Sequence, residues 1–422
     1  MQKWALSLPG TFSRLAPHTA ALHALHSAYE KGLLESEPGF ISTSSVAGIP
    51  ASVYIQRSEE KLVELEEMEI NLRRGDFVSL NPDLKKTAAI DFVSILALLV
   101  AAHGTGKIKN PILSYAALAA LGIPAFQISK KAIKDIFSTE SFLVYDNLYK
   151  LLMKTLDFDA IFNSPIKIEI PAVNLNKAGW TLDELLSDPP LYLHGWANKG
   201  WVSVTNFKPQ DVNLDKDIRN ANYVRKLING LRVFGHFAPG RHDNNDAIVD
   251  TAALSNLPVH FALDQGYTNI VVLHYNSTAE APTDKIFKSW PQHLSREFDI
   301  CVSEMTRKAV VGYLRVNNDL SELAKQRENL KKLEGELYRQ NQNIDSPGQQ
   351  AIRQYIRDQE ESQRKLSYAH KLRINFIFAG SDPLPNIHLG EFTQDEIIEG
   401  LNTGYKSGND IIPSINKMIK AV

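Results

Sequence analysis

The sequence predicts an α/β fold with a mostly parallel central sheet flanked by helices, and a helical hairpin inserted late in the chain. Three observations support this prediction. Short apolar runs near the start each lead through a tight turn into a helical pattern, which is the order typical of a parallel sheet. Further apolar runs of strand length recur as far as residue 379. Residues 318–371 differ from the rest, being rich in Lys, Glu, Gln and Arg.

The first elements follow the order strand, turn, helix. Residues 4–8 form an apolar run of strand length, and the turn sequence of residues 9–13 follows it. Apolar residues at helical spacing predict a helix from about residue 17 to residue 34. Residues 40–41 predict a second strand, and a serine-rich turn then leads into a helix over about 49–57.

The middle of the chain adds helices and further strands. Residues 58–80 are charge-rich and helical in pattern, and residues 88–102 are apolar on nearly all faces, which predicts a core helix. Residues 130–156 predict a helical pair. Strands are predicted over Ile166–Val173 and Trp201–Thr205, and a short strand edge over Ile248–Val249. Buried strands are predicted over Ile270–Tyr275 and Ile374–Ala379.

The late charged segment predicts an antiparallel helical hairpin. Five leucines between residues 320 and 337 fall on one helical stripe, and a Pro-Gly turn at 347–348 separates them from a second helix over about 350–371. Strand patterns flank the hairpin, so it is interpreted as an insertion. The expected domains are an α/β domain over 1–317, the hairpin over 318–371, and the return of the chain to the α/β domain over 372–422.

Composition argues against several classes of function. Lys and Arg number 46 and Asp and Glu 48, so a net charge of −2 offers no bulk basic surface for nucleic acid. The single cysteine, Cys301, excludes an intrachain disulfide and a multi-cysteine zinc site. No pair of histidines has a convincing metal-ligand spacing, so neither a metal nor a cofactor is expected. The segment Gly104 to Lys107 lacks the other residues of a phosphate-binding loop.

Apolar segments are short throughout. The longest, Phe92 to Ala102, falls well below the roughly 20 residues that a bilayer-spanning helix needs. The apolar stretch at the start of the chain breaks at Pro9 and is too short for a signal-peptide core. We therefore expect a cytoplasmic protein, or one that is peripheral to a membrane.

Three separate segments carry the features of a catalytic site. The turn Pro9 to Arg14 follows the first strand, and Ser42 to Gly48 joins the second strand to a helix. The segment Asp250 to Pro258 follows a short strand and contains Asn-Leu-Pro. Together they resemble the patatin-like phospholipases, in which an oxyanion loop, a Gly-x-Ser-x-Gly elbow and an Asp-Gly-Gly or Asp-Gly-Ala motif occur in this order. The end of the chain resembles the closing helix of that family, with the pair Gly404-Tyr405.

The resemblance implies a serine acyl hydrolase that uses a Ser–Asp dyad without histidine. Ser45 takes the place of the nucleophile and Asp250 that of its base, with Ser44 as the runner-up nucleophile one residue out of register. The implied substrate is a phospholipid or another acyl-ester lipid, met at a membrane surface. The implied oxyanion hole consists of backbone N–H groups from Gly10, Thr11, Phe12, Ser13, Arg14 and Val46.

Physical chemistry supports these roles and also leaves an alternative. A serine on a sharp strand-to-helix turn holds its hydroxyl clear of the backbone, and it needs a base within about 2.6–3.2 Å. Glycine serves such loops where φ is positive or backbones approach closely. This chain has other residues at five family glycine positions: Thr11, Phe12, Thr43, Ala47 and Thr251. The alternative is a catalytically silent relative that binds lipid or a protein partner.

Two further features are interpreted without catalytic roles. His18 and His236 are taken as packed or exposed side chains, which is the commoner fate of an isolated histidine. The hairpin of 318–371 is expected to be a soluble arm, because its outer faces carry mixed charges that do not suit insertion into lipid. Such an arm is suited to contacting a protein partner or a second copy of the chain.

Overall fold

The computed structural model confirms the α/β fold, with a mixed and mostly parallel sheet flanked by helices. The structure describes residues 4–10, 15–71, 79–80, 143–179, 183, 200–232, 240–241, 246–275, 300 and 304–315, scattered positions from 318 to 361, and residues 375–380 and 393–420. The core helix predicted over 88–102 therefore lies outside the described residues.

Most of the described strands match the predicted apolar runs, although residues 79–80, which lie in the segment predicted to be helical, form a strand. The strands are β1 (Trp4–Leu8), β2 (Phe40–Thr43), β3 (Ser79–Leu80), β4 (Leu143–Val144), β5 (Lys167–Asn174), β6 (Trp201–Thr205), β7 (Gly240–Arg241), β8 (Ala247–Val249), β9 (Asn269–His274) and β10 (Asn375–Gly380).

Within the described part of the chain, the main sheet has the order β10-β9-β1-β2-β5-β8-β7, and β6 also pairs with β5. The run from β10 to β5 is parallel, whereas β6 and β8 are antiparallel to β5. Strands β1 and β9 are buried along their whole length, which explains their continuous apolar sequence.

Helices cover the sheet. They are α1 (Ala16–Glu30), α2 (Gly48–Tyr54), α3 (Glu59–Asn71), α4 (Asp146–Thr155), α5 (Phe158–Asn163), α6 (Pro209–Val212), α7 (Lys216–Asn229), α8 (Val259–Asp264) and α9 (Gln394–Lys420). Residues 304–315 are also helical. Of the helical pair predicted over 130–156, the described part is the short strand β4 followed by α4. Every helix in the described part of the chain is too short or too polar to cross a lipid bilayer.

The long helix α9 packs closely on α1 through a row of glycines. Gly400, Gly404 and Gly408 are spaced four residues apart, so they lie on one helix face. A Cβ at Gly404 would collide with the carbonyl oxygen of Pro17, and one at Gly408 would lie 2.8 Å from the carbonyl oxygen of Ala21. A helix therefore lies where the closing helix was predicted and extends beyond Tyr405 to Lys420, and its glycines are explained by close contact between the two helix backbones.

Strands β2 and β8 share one edge of β5. Glu169 of β5 pairs with both β2 and β6, and Val173 pairs with both β8 and β6. A strand has only two edges, so β2 and β8 both lie on the edge opposite β6. Because β2 is parallel to β5 and β8 is antiparallel to it, the two strands run toward each other and their ends meet beside the middle of β5.

Pro171 occupies the gap where these strand ends meet. It lies between the residues of β5 that pair with β2 and those that pair with β8. Its carbonyl oxygen accepts a buried hydrogen bond of 2.7 Å from Thr251 Oγ1. The N and O atoms of one strand residue face the same edge, so the missing proline N–H also faces this gap. The gap therefore tolerates a proline in an interior strand and brings the turn after β8 next to the turn after β2.

The hairpin predicted over 318–371 lies largely outside the described residues. Its described positions are helical in two stretches, and several carry exposed Lys–Glu ion pairs at helical spacing. The division of the chain into 1–317, 318–371 and 372–422 stays a prediction.

Candidate active site at the junction of β2 and β8

Ser45 adopts a strained backbone conformation directly after β2. Its φ angle is +52°, whereas Ser44 before it is extended with φ of −130°. A serine with positive φ is uncommon and costs on the order of 1–3 kcal/mol, which the surrounding structure must offset. The chain then enters a 3-10 turn, Ser45–Ala47, that leads straight into α2. This is the sharp strand-to-helix turn that presents a serine hydroxyl at the end of a sheet.

The hydroxyl of Ser45 points at Asp250. Ser45 Oγ donates a hydrogen bond of 2.5 Å to Asp250 Oδ2, and both side chains are buried. Asp250 caps the turn after β8, where its Oδ1 accepts a hydrogen bond of 2.8 Å from the N–H of Ala252. The backbone N–H of Asp250 donates to the carbonyl of Arg232 at 3.1 Å. The two residues that the family resemblance pairs are therefore hydrogen-bonded to each other. The carboxylate of Asp250 is also held by a second hydrogen bond that does not involve Ser45.

Electrostatics leave Asp250 ready to accept a proton. Burial raises the pKa of Asp250 to about 6, and the hydrogen bonds from Ser45 and Ala252 oppose that rise. At neutral pH the carboxylate is therefore mostly ionised, while its proton affinity exceeds that of an ordinary aspartate.

Ser44 is directed elsewhere. Its hydroxyl donates to the side-chain oxygen of Asn256 at 3.3 Å rather than to Asp250. The same oxygen of Asn256 accepts the N–H of Gly10 at 3.1 Å. A Cβ added to Gly10 would lie 2.8 Å from the Cβ of Ser45, so this position requires glycine for close approach. The geometry therefore pairs Ser45, rather than Ser44, with the carboxylate of Asp250.

The predicted oxyanion donors are only partly described. Thr11, Phe12, Ser13 and Arg14 lie outside the described residues. Gly10 is described, and its N–H is engaged by Asn256. Val46 is the second residue of the 3-10 turn, where an N–H has no carbonyl one turn earlier within the helix. Among the predicted donors, the described ones are therefore Gly10, whose N–H is engaged, and Val46.

The replaced glycines do not disturb the elbow. Thr43 is the last residue of β2, and Ala47 has φ of −61°, a value that any residue adopts. Among the described non-glycine residues, positive φ occurs at Ser45 and at Arg57, which lies outside the three segments. Thr251 uses its hydroxyl to bind β5, a contact that glycine cannot make. These substitutions are compatible with the geometry of the dyad.

Two buried histidines near the sheet are packed rather than paired with the dyad. The ring of His18 donates through Nε2 to the carbonyl of Leu273 at 3.1 Å, and burial lowers its pKa to about 4. His260 lies against Phe261 with ring centres 4.1 Å apart, and burial lowers its pKa to about 3. His236 lies outside the described residues. In the part of the chain that the structure describes, no cluster of three or more acidic, histidine or cysteine side chains is arranged to hold a metal.

Sequence reasoning missed two residues of this site. Asn256 and Thr251 lie in the third sequence segment, but no role was assigned to either. The signal available for Asn256 was its place in the Asn-Leu-Pro pattern six residues after Asp250. Nothing in the sequence indicated that Thr251 would bind the carbonyl of a proline in another strand.

Comparison with known proteins gives a distant likeness in structure alone. No family model matches the chain, and no curated protein matches it in sequence. Among solved structures, the chain is similar to the crystal structure of VipD from Legionella pneumophila, with 11% sequence identity and a TM-score of 0.34. The alignment covers 98% of this chain and 67% of that chain.

Proposed function

We propose that this protein is a serine acyl hydrolase that cleaves fatty-acyl esters of phospholipids or other lipids. One observation carries the proposal: Ser45 is held at positive φ on a strand-to-helix turn, with Oγ 2.5 Å from a buried carboxylate of raised pKa. A cap or a core serine needs neither the strain nor the paired base. The lipid nature of the ester follows from the resemblance of the three sequence segments to patatin-like phospholipases.

The proposed reaction proceeds in two halves. Asp250 Oδ2 accepts the proton of Ser45 as Oγ attacks the ester carbonyl carbon, and the tetrahedral oxyanion is held by the N–H of Val46 and the loop after β1. The ester C–O bond breaks, and the leaving alcohol takes the proton from Asp250. A water molecule then loses a proton to Asp250 and attacks the acyl-serine. Release of the fatty acid returns the proton to Ser45 Oγ.

A fluorophosphonate probe tests this assignment directly. We expect the adduct on Ser45 by mass spectrometry, loss of labelling in Ser45→Ala, and persistence of the adduct in Ser44→Ala. For a short-chain ester, Ser45→Ala should lower kcat/KM by about 10³-fold or more. Ser45→Ala leaves the backbone strain at residue 45 unchanged and adds none. We therefore expect circular dichroism to show an intact fold. Labelling of Ser45→Ala at the wild-type level would remove Ser45 from the mechanism.

A second candidate function is lipid or protein binding without catalysis. Two observations favour it: Ser45 is only 4% exposed, and the N–H of Gly10 is engaged by Asn256. In that case the protein would bind phospholipid vesicles while Ser45 remained unlabelled. For either function, the hairpin of 318–371 is the segment that we propose for contact with a protein partner or a second copy.

A further inference from the structure

Helix α3 contacts α1 and α9 through a cluster of titratable side chains. On α1, the ring nitrogen Nδ1 of His23 lies 2.8 Å from Oε1 of Glu66, which belongs to α3. The hydroxyl of Tyr405, on α9, donates to the same Glu66 oxygen at 2.7 Å and lies 2.6 Å from His23 Nδ1. The other ring nitrogen, Nε2, lies 3.7 Å from Oε1 of Glu59 at the start of α3. One buried imidazole therefore faces two carboxylates of the same helix.

Only a protonated ring satisfies both carboxylates. An imidazolium donates through both nitrogens, whereas a neutral imidazole has a single N–H and turns a lone pair toward one of the two acids. The hydrogen bond to Glu66 accordingly raises the pKa of His23. Burial raises the pKa of Tyr405, so its hydroxyl stays neutral and serves as a donor. The neighbouring His26 on α1 stays neutral more readily, because burial lowers its pKa.

A second contact between α1 and α3 responds to pH in the same direction. Thr19 lies one turn before His23 on α1, and Glu69 lies three residues after Glu66 on α3, so both contacts use the same pair of helix faces. Thr19 Oγ1 donates to Glu69 Oε1 at 2.6 Å. Burial raises the pKa of Glu69 to about 8, and the charge of Glu66 adds to the rise. An ionised Glu69 therefore places a second negative charge inside the contact.

Both groups favour docking of α3 at low pH and oppose it at high pH. The contribution of His23 is fully present below pH 6.5 and is lost as the pH rises through its raised pKa. The contribution of neutral Glu69 is fully present below pH 4.5 and is lost as the pH rises through about 8. The two losses reinforce each other, because the positive charge that offsets Glu66 disappears while Glu69 becomes negative.

The apolar contact of α3 is small. Of its 13 residues, the buried ones are Leu62, Leu65 and Glu69, and Met68 and Ile70 are partly buried against the core. One of its three buried side chains is thus an acid. With few buried apolar contacts to hold the helix, its docking depends strongly on the titratable groups.

We propose that α3 is a pH-sensitive latch, docked on α1 and α9 in mildly acidic solution and released from them as the pH rises above neutral. The latch consists of Thr19, His23 and Tyr405 on one side and Glu59, Glu66 and Glu69 of α3 on the other. It does not depend on the proposed hydrolase function, since none of these residues contacts Ser45 or Asp250 through a hydrogen bond that the structure describes.

Backbone hydrogen exchange, expressed as protection factors that correct for the chemical effect of pH, tests the latch. In the wild type, protection of α3 should fall by about 10²-fold or more between pH 6 and pH 9, the change expected from the raised pKa of Glu69 alone. At pH 9 it should lie at least about 10-fold below the protection of β1 and β9, because α3 opens locally. In the double variant His23→Gln/Glu69→Gln, which cannot titrate at either position, protection of α3 should change by less than about 3-fold.

Glu64→Gln is the matched control on the same helix. Glu64 lies on the exposed face of α3 and pairs with Lys61 at 2.7 Å, so this variant should retain the wild-type fall in protection. An equal fall in the double variant and the wild type would overturn the latch, because other groups would then cause it. Equal protection of α3, β1 and β9 at pH 9 would also overturn it, because α3 would open only with the whole sheet. This second comparison needs no substitution, so it decides the question even for a double variant that fails to fold.

Discussion

Two buried carboxyl groups lie in different regions of this molecule, one at the edge of β5 and one between α1 and α3. Asp250 accepts a hydrogen bond from the hydroxyl of Ser45 at 2.5 Å, and Glu69 accepts one from the hydroxyl of Thr19 at 2.6 Å. Burial raises the pKa of both, to about 6 for Asp250 and to about 8 for Glu69. A hydroxyl contact alone therefore does not distinguish the carboxylate of the proposed dyad from a structural one.

The two carboxyl groups differ in the hydrogen bonding of their second oxygen. Asp250 Oδ1 accepts the N–H of Ala252, whereas Glu69 Oε2 has no hydrogen-bond partner among the described residues. The nearby charge of Glu66 raises the pKa of Glu69 further. At pH 7 Asp250 is thus mostly an anion that can take a proton, and Glu69 is mostly a neutral acid. One backbone donor helps keep the base of the site ionised.

Isosteric amides give the largest expected contrast between the two regions. Asp250→Asn removes the base and should lower kcat/KM for a short-chain ester by about 10³-fold, whereas Glu69→Gln should leave it near the wild-type value. In the wild type the rate should fall as the pH drops through about 6, because Asp250 takes up a proton and ceases to act as a base. Glu69→Gln should show the same midpoint. A rate for Asp250→Asn above a tenth of wild type would contradict this contrast.

The pH dependence of the free energy of unfolding tests the raised pKa of Glu69. The pKa of Glu69 is raised from 4.5 to about 8 in the folded chain, so its contribution to stability is fully present below about pH 4.5 and is lost as the pH rises through about 8. Glu69→Gln cannot ionise and should avoid this loss, which is roughly 3–5 kcal/mol for the wild type. Urea unfolding at pH 5 and pH 9 measures the difference. Equal losses in the two proteins would show that Glu69 is already charged at neutral pH.

Thr251 gives a smaller effect confined to the edge of β5. Thr251→Val keeps the shape of the side chain but leaves the buried carbonyl of Pro171 without its donor, which should cost about 1–3 kcal/mol in the free energy of unfolding. Thr251→Ser retains the hydroxyl and serves as the control. If the Thr251→Val and Thr251→Ser variants unfold at the same urea concentration, the hydrogen bond to Pro171 contributes nothing to stability.

Much of the sheet was predictable because buried parallel strands have continuous apolar sequences. The runs at residues 4–8 and 270–275 correspond to the parallel strands β1 and β9 within about one residue. The run at 201–205 corresponds to β6, which is antiparallel to β5 and only partly buried. The pairing of Ser45 with Asp250 was expected from the resemblance of three segments, not from composition or spacing. The structure adds the positive φ of Ser45 and the 2.5 Å contact.

What could not be predicted depends on contacts between distant segments. Glu69 lies in a charge-rich helix, and charged residues are mostly exposed, so its burial against Thr19 had no signal in the sequence. From the local sequence, Thr251 was an unfavourable replacement for glycine. Its stabilising contact is a hydrogen bond to Pro171 of β5, which the local sequence does not indicate. The bridge from Asn256 to Gly10 likewise joins residues 246 apart, and nothing local in the sequence specifies it.

The meeting of β2 and β8 on one edge of β5 ties the site to the order in which the chain folds. Ser45 and Asp250 are 205 residues apart, so their contact forms only after a long stretch of chain has closed. The elbow can be built from β1, β2 and the helices beside them, but its base arrives with β8. An incompletely folded chain therefore holds the serine without its partner. We therefore expect the dyad to form late in folding, and under the proposed function a newly made chain stays inert until its sheet is complete.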